Sequence, residues 1–113
     1  MISQVRPSDL SAWMDSVRAQ GEPLVLDVRE PWELQVAGVK PGGFELVAIP
    51  MGEIPARIRE LDPHRPVACL CHHGARSLRV AGFLAQNGFA EVANIAGGID
   101  AWSAELDAAV PRY

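Results

Sequence analysis

Two runs, Pro23-Leu24-Val25-Leu26-Asp27-Val28 and Pro66-Val67-Ala68-Cys69-Leu70, constrain the fold of this chain more than any other feature. Each starts at a proline and is apolar at successive positions rather than alternate ones. A strand with one solvated face alternates apolar and polar side chains, whereas a strand covered on both faces has no need to. Such runs are therefore the pattern of interior strands in a parallel sheet. Parallel neighbours cannot be joined by a tight hairpin and need long crossovers, usually helices.

The intervening segments supply them. Pro7-Ser8-Asp9 offers a helix start, and Leu10, Trp13, Met14 and Val17 fall at i, i+3, i+4 and i+7, with Gly21 as the stop. The pattern predicts a short helix over 30–36, and another marked by Ile54, Ile58 and Leu61, in which Pro55 fits only the first turn. A longer helix over 76–87 is stopped by Gly88, and Gly97-Gly98 leads into a last one carrying Ile99, Trp102 and Leu106. Further strands are expected over 2–5, over 44–49 after the Lys40-Pro41-Gly42-Gly43 turn, and over 91–95. This alternation implies an α/β domain with a mostly parallel sheet and helices on both faces. At 113 residues the chain suffices for one such domain, spanning 1–113, and for no second core.

Composition narrows the partners. A net charge of −4 argues against nucleic acid or an anionic membrane. The apolar runs are far shorter than a membrane span and the beginning of the chain lacks a secretory pattern, so the expected location is cytoplasmic. Cys69 and Cys71 are too few and too close for a disulfide framework, and read as reduced thiols.

Ligand sites in such sheets lie beyond the carboxyl ends of the strands. Asp27-Val28-Arg29-Glu30 and Cys71-His72-His73-Gly74-Ala75-Arg76-Ser77 both fall at such ends and are expected to share one crevice. A thiol at a strand-to-helix turn faces unpaired N–H groups and the positive end of the helix dipole, which favours its thiolate. Gly74 can take backbone angles closed to other residues, so that successive amides turn inward as an anion nest. No acid lies between Asp62 and Glu91, while Arg65, Arg76, Arg79 and all three histidines fall within that stretch. That suggests a local positive field that lowers the thiol pKa and draws an anionic substrate, with His72 and His73 as contributing loop residues. Arg76 has Asp27 or Glu30 as candidate partners, and Ser77 can cap the following helix.

Other residues read more plainly. Cys69 belongs to the strand core, His64 to a surface turn, and Arg79 to an exposed helix face. Trp13, Trp32 and Trp102 are expected as core or capping aromatics. Cys69, Cys71, His72 and His73 are too compressed along the chain to surround a tetrahedral ion, so no metal is expected.

On these residues the chain resembles a single-domain rhodanese, the sulfurtransferase module. The resemblance is carried by Leu26-Asp27-Val28-Arg29-Glu30-Pro31-Trp32-Glu33, by the loop from Cys71 through Ser77, by Gly88-Phe89 with the strand after it, and by Asn94-Ile95-Ala96-Gly97-Gly98-Ile99-Asp100-Ala101-Trp102. It implies a three-layer rhodanese-like fold with a five-stranded sheet, and Cys71 at the bottom of a shallow pocket. It also implies a double displacement without metal or organic cofactor. Cys71 would take the outer sulfur of a small anionic donor such as thiosulfate and pass it to cyanide, a thiol or an acceptor protein. The backbone of His72, His73, Gly74, Ala75, Arg76 and Ser77 would cradle the anion, with Asp27, Arg29 and Glu30 holding the loop from behind.

Phosphatases that share this architecture separate cysteine and arginine by five residues; here four, 72–75, lie between Cys71 and Arg76, which resembles the sulfur-handling form. One departure bears on substrate preference. Many rhodaneses carry a Gly-His-Ile-Pro-Gly-Ala segment where this chain reads Ala37-Gly38-Val39-Lys40-Pro41-Gly42-Gly43-Phe44, without a histidine. The competing expectation is a sulfur-relay or protein-binding module of the same fold with little thiosulfate activity.

Overall fold

In a computed structural model, which describes residues 2–113, the strands β1 (Ser3–Val5), β2 (Leu24–Asp27), β3 (Glu45–Ala48), β4 (Val67–Leu70) and β5 (Val92–Ile95) form one sheet in the order β1-β5-β4-β2-β3. Every pairing is parallel, with Leu26 opposite Cys69 and Cys69 opposite Asn94. The three interior strands β2, β4 and β5 are buried at every position, as their mostly apolar runs predict, with Asp27 and Asn94 the polar residues among them. The edge strands β1 and β3 are partly exposed.

Side-chain alternation divides the core between the two faces. Leu24, Leu26, Val67, Cys69 and Val92 pack with Ile54 of α3 (Ile54–Arg57) and with Val80, Ala81 and Leu84 of α4 (Ala75–Gln86). On the other face Val25, Ala68, Leu70, Ala93 and Ile95 meet Leu10 and Met14 of α1 (Leu10–Val17) and Ile99 and Trp102 of α5 (Gly98–Glu105). The remaining helix, α2 (Pro31–Val36), buries only Glu33. Among the described residues no helix is long and apolar enough to cross a membrane.

The strand order brings together the two loops singled out from the sequence. From β2 the chain moves outward to β3, whereas from the adjacent β4 it moves the opposite way to β5. The loops after β2 and β4 therefore start side by side where the chain's direction of travel reverses, the place where ligands settle in open parallel sheets.

One expected element comes out differently. The helix marked by Ile54, Ile58 and Leu61 is α3 alone, flanked by tight 3-10 turns over Met51–Glu53 and Ile58–Glu60. Pro55 withholds an amide proton from the short segment, and the chain must double back at Leu61 to enter β4. The i→i+3 bonds, Glu53 N–H to Pro50 at 2.9 Å and Leu61 N–H to Ile58 at 3.1 Å, satisfy its ends instead.

Candidate active site

Cys71 follows directly on β4, flanked by β5 and β2, and its loop runs into α4. Gly74, at φ +107°, is the N-cap of α4, so the left-handed turn expected there is present. Its N–H donates to Cys71 Sγ at 3.1 Å. The first-turn amides of α4, on Ala75, Arg76 and Ser77, have no acceptor within the helix. The sulfur therefore sits at a helix N-terminus, and Cys71 is only 1% exposed.

What turns the loop this way is α5. Ile99 N–H donates to the Cys71 carbonyl at 2.8 Å and Asp100 N–H to the His72 carbonyl at 3.2 Å. Two carbonyls of the loop, those of Cys71 and His72, are thus occupied by the first turn of α5. Gly98 makes the approach possible. It sits at φ +59°, and a Cβ there would lie 2.4 Å from the His72 oxygen and 2.5 Å from the Cys71 oxygen. The Gly97-Gly98 pair, read from sequence only as a helix start, lets one helix N-terminus slide beneath the loop while the other opens onto the sulfur.

The charged residues pair otherwise than expected. Arg76 joins neither Asp27 nor Glu30. Its two terminal nitrogens donate to Glu33 Oε1 at 2.6 Å and Oε2 at 2.7 Å, a bidentate fork. The buried Asp27 is taken by the fully buried Arg29, whose Nη2 donates to Oδ2 at 2.7 Å and whose Nε donates to Oδ1 at 2.9 Å. Glu30 is exposed at the N-cap of α2, and its N–H donates to Glu33 Oε1 at 3.0 Å. Of the three residues expected behind the loop, Arg29 reaches it through Tyr113, Asp27 acts only on Arg29, and Glu30 takes no part through its charge.

Ser77 is corrected as well. It lies in the first turn of α4 rather than at the cap, fully buried, with its hydroxyl oxygen 3.3 Å from Cys71 Sγ and donating to Asn94 Oδ1.

Tyr113 closes the site from the far end of the chain. Its hydroxyl donates to Glu33 Oε2 at 2.7 Å and accepts from Arg29 Nη1 at 3.1 Å. Its ring stacks on His72 at 3.8 Å between centroids, His72 stacks on His73 at 3.9 Å, and Trp32 meets the tyrosine edge-on at 6.1 Å. Trp32 itself is 61% exposed, so it is a rim residue rather than core, whereas Trp102 is buried. His72 Nε2, covered by this stack, has no hydrogen-bond partner among the described residues. A chain of polar contacts thus runs from Asp27 through Arg29, Tyr113 and Glu33 to Arg76.

Electrostatics follow from these contacts. Hydrogen bonds from Arg76, reinforced by Tyr113 and the Glu30 amide, hold the Glu33 carboxyl down at about 2 despite its burial. Burial disfavours the Arg29 charge, but its bonds to Asp27 and Tyr113 outweigh that and its pKa ends above the usual value. Burial pushes the Cys69 thiol upward, so it stays protonated in the core. The expected positive field is largely compensated, because a stretch free of acids in sequence is not free of them in space. Glu33 neutralises Arg76, and Glu45 meets Arg65 at 2.7 Å. Attraction for an anion at Cys71 comes instead from amides and the α4 dipole. Arg79 is exposed and lines an apolar groove with Met51 and Phe83, apart from these contacts.

Glu33, Asn94 and Gly98 stand in the motifs that carry the resemblance, but neither they nor Tyr113 were given a place at the site from the sequence. A polar residue inside the interior run Val92-Ala93-Asn94-Ile95 was the available signal for Asn94, and the spacing of Glu30 and Glu33 at i, i+3 the signal for a helix-start pair. Nothing in the sequence pointed to Tyr113.

Comparison with known proteins agrees with this architecture. The family model described as rhodanese-like domain matches residues 7–105. A sulfurtransferase of Allochromatium vinosum is 39% identical over 80 residues, covering 71% of each chain. The rhodanese-like/PpiC domain-containing protein 12 of Arabidopsis thaliana, a chloroplastic protein, is 32% identical over 99% of this chain, which spans only 38% of that protein's length. The solved structure of a rhodanese-related protein from Thermoplasma volcanium superposes with a TM-score of 0.74 at 30% identity, covering 92% of this chain and 93% of the other.

Proposed function

The chain belongs to the rhodanese-like domain family of sulfurtransferases, and we propose that it transfers a sulfane sulfur from thiosulfate, or a related persulfide donor, to a thiol or other thiophilic acceptor through a persulfide on Cys71. The observation that carries this reading is the placement of Sγ. It lies 3.1 Å from the Gly74 amide, at the N-terminus of α4, within a loop whose Cys71 and His72 carbonyls are bound by α5. A sulfur held this way is stabilised as an anion by fixed dipoles that need no reorganisation during the reaction.

In the first half-reaction the Cys71 thiolate attacks the outer sulfur of thiosulfate. A new S–S bond forms, the bond to the sulfonate sulfur breaks, and sulfite departs with its electron pair. The negative charge passes to the outer sulfur of the persulfide, which the first-turn amides of α4 are placed to receive. In the second half-reaction an acceptor thiolate or cyanide attacks that outer sulfur and the Cys71 thiolate is regenerated. Arg76 serves as an anchor rather than a substrate clamp, since its fork is occupied by Glu33. At 1% exposure Cys71 admits no bulky group without displacing the loop, which favours a slim donor ending in a bare sulfur.

Replacing Cys71 by Ser or Ala is the test. Transfer from thiosulfate to cyanide is abolished while the far-UV circular dichroism is unchanged; persistent transfer in either variant overturns the mechanism. Wild-type protein that loads sulfur yet does not turn over with small acceptors would instead be a relay serving a protein partner.

A further inference from the structure

The polar groups behind Cys71 make more contacts than they have protons to fill. Asn94 on β5 is 2% exposed, and one of its amide atoms lies 3.1 Å from the Gly74 carbonyl oxygen. That oxygen can only accept, so the atom facing it is the amide nitrogen Nδ2, which also donates to Gln4 Oε1 at 3.0 Å. Oδ1 is then the atom facing Ser77. An amide oxygen has no hydrogen to give, so the hydrogen between them is the one that Ser77 owns.

That single proton cannot also serve Cys71 Sγ or the Gly74 carbonyl oxygen, each 3.3 Å from the same hydroxyl oxygen, and of these the carbonyl already accepts from Asn94 Nδ2 and the Leu78 N–H. While the sulfur carries its own proton the arrangement is complete, because the thiol donates to Ser77 Oγ and Ser77 donates to Asn94. Once the sulfur ionises, thiolate and Asn94 Oδ1 both require the one hydroxyl proton. A thiolate that loses it keeps the Gly74 N–H at 3.1 Å, whereas an Oδ1 that loses it is a buried acceptor with no other donor among the described residues.

We propose that Asn94 is a positioning residue that competes with Cys71 for the Ser77 hydroxyl proton. The hydroxyl turns to the sulfur while the sulfur holds the charge, and returns to Asn94 once the sulfur is loaded. In the persulfide the inner sulfur is bonded on both sides and the charge rests on the outer one, so the inner atom no longer competes. The hydroxyl therefore follows the charge by rotation alone, with no bond made or broken. Asn94 favours the protonated thiol at rest and restrains its reactivity between turnovers. This inference rests on Cys71 being the reacting thiol, and its test reads the thiol itself, so that a failure of sulfur transfer and a failure of the proton competition are told apart.

The measurement is the rate of alkylation of Cys71 by iodoacetamide at neutral pH, followed by mass spectrometry of its peptide. Asn94→Leu removes the competing oxygen at similar volume, and the Gly74 carbonyl keeps the Leu78 N–H at 3.2 Å as a donor. With the competitor gone, alkylation quickens about tenfold, the equivalent of releasing one buried acceptor. Ser77→Ala is slower than wild type, and adding Asn94→Leu to it changes nothing. A folded Asn94→Leu that alkylates no faster overturns the proposal, as does the same acceleration in the Ser77→Ala background. Where Asn94→Leu does not fold, Raman spectroscopy of the S–H stretch decides the matter on the other proteins. The Cys71 band sits at a hydrogen-bonded frequency in wild type and rises in Ser77→Ala, with the Cys69 band as internal reference. A Cys71 band that does not move overturns the proposal.

Discussion

Replacing Glu33 by Gln keeps the shape of the side chain and removes the charge on which the loop anchor depends. Glu33 is 2% exposed and accepts both prongs of Arg76 at 2.6 and 2.7 Å, the Tyr113 hydroxyl at 2.7 Å and the Glu30 amide at 3.0 Å. Led by the Arg76 bonds, these hold its carboxyl at about 2 against an ordinary 4.5. At about 1.4 kcal/mol per unit the difference is roughly 3 kcal/mol. Because the Arg76 side chain is 33% exposed, solvent screening reduces that to about 2 kcal/mol at neutral pH. A carboxyl depressed in the folded state stabilises it fully above the unfolded value of 4.5, and that stabilisation is lost as pH falls toward about 2. Gln has no such titration. Urea unfolding of both proteins therefore shows a gap of about 2 kcal/mol at pH 7 that narrows to below about 1 kcal/mol at pH 3. Sulfur transfer falls alongside, because Arg76 no longer holds its end of the loop. A gap of equal size at both pH values would refute the reasoning, as would a Gln variant within about 0.5 kcal/mol of wild type at pH 7.

Five further substitutions separate the parts of the site. Asp27→Asn leaves the fully buried Arg29 without its counter-charge and costs about 3–5 kcal/mol in urea unfolding. Glu30→Gln, at an exposed position, stays within about 0.5 kcal/mol, and equal effects would show that the two acids were wrongly distinguished. Gly98→Ala forces a Cβ to 2.4 Å from the His72 oxygen at a φ of +59°; about 1–3 kcal/mol is lost to conformation alone and transfer activity collapses with the displaced loop. Gly88→Ala, at φ +88° with nothing within 4 Å, shares the conformational cost but keeps its activity, and joint loss of activity would contradict the role given to Gly98. Tyr113→Phe keeps the stack on His72 and loses the bridge between Arg29 and Glu33, costing about 1 kcal/mol in thermal unfolding; a neutral result would make Tyr113 a bystander.

The parallel sheet was legible because its interior strands cannot hide. A strand buried on both faces has no solvated face to alternate toward, and the apolar runs around Val25 and Ala68 show that pattern directly. The site proposed for the nucleophile was legible for a related reason, since a cysteine just past such a run and just before a helix falls at a helix N-terminus. The partners of the charges were not. Asp27 and Arg29 sit two residues apart and pair locally, but Arg76 finds Glu33 across 43 residues and Arg29 finds Tyr113 across 84. Such contacts depend on strand order, which a sequence pattern does not encode. Charge counted along the chain misled for the same reason, because Glu33 and Glu45 arrive from other segments to neutralise Arg76 and Arg65. The Gly97-Gly98 pair shows how a local signal can be read correctly and its purpose missed. It does start a helix, but the absence of side chains matters because another loop's carbonyls lie against it.

Whether Cys71 carries the sulfur is read most directly by intact-mass spectrometry after incubation with thiosulfate. The protein gains the mass of one sulfur atom, the gain maps to the peptide holding Cys71, and dithiothreitol removes it; Cys71→Ser gains nothing. Sulfur loading on Cys69 instead, or no loading from thiosulfate, polysulfide or glutathione persulfide alike, would overturn Cys71 as the carrier.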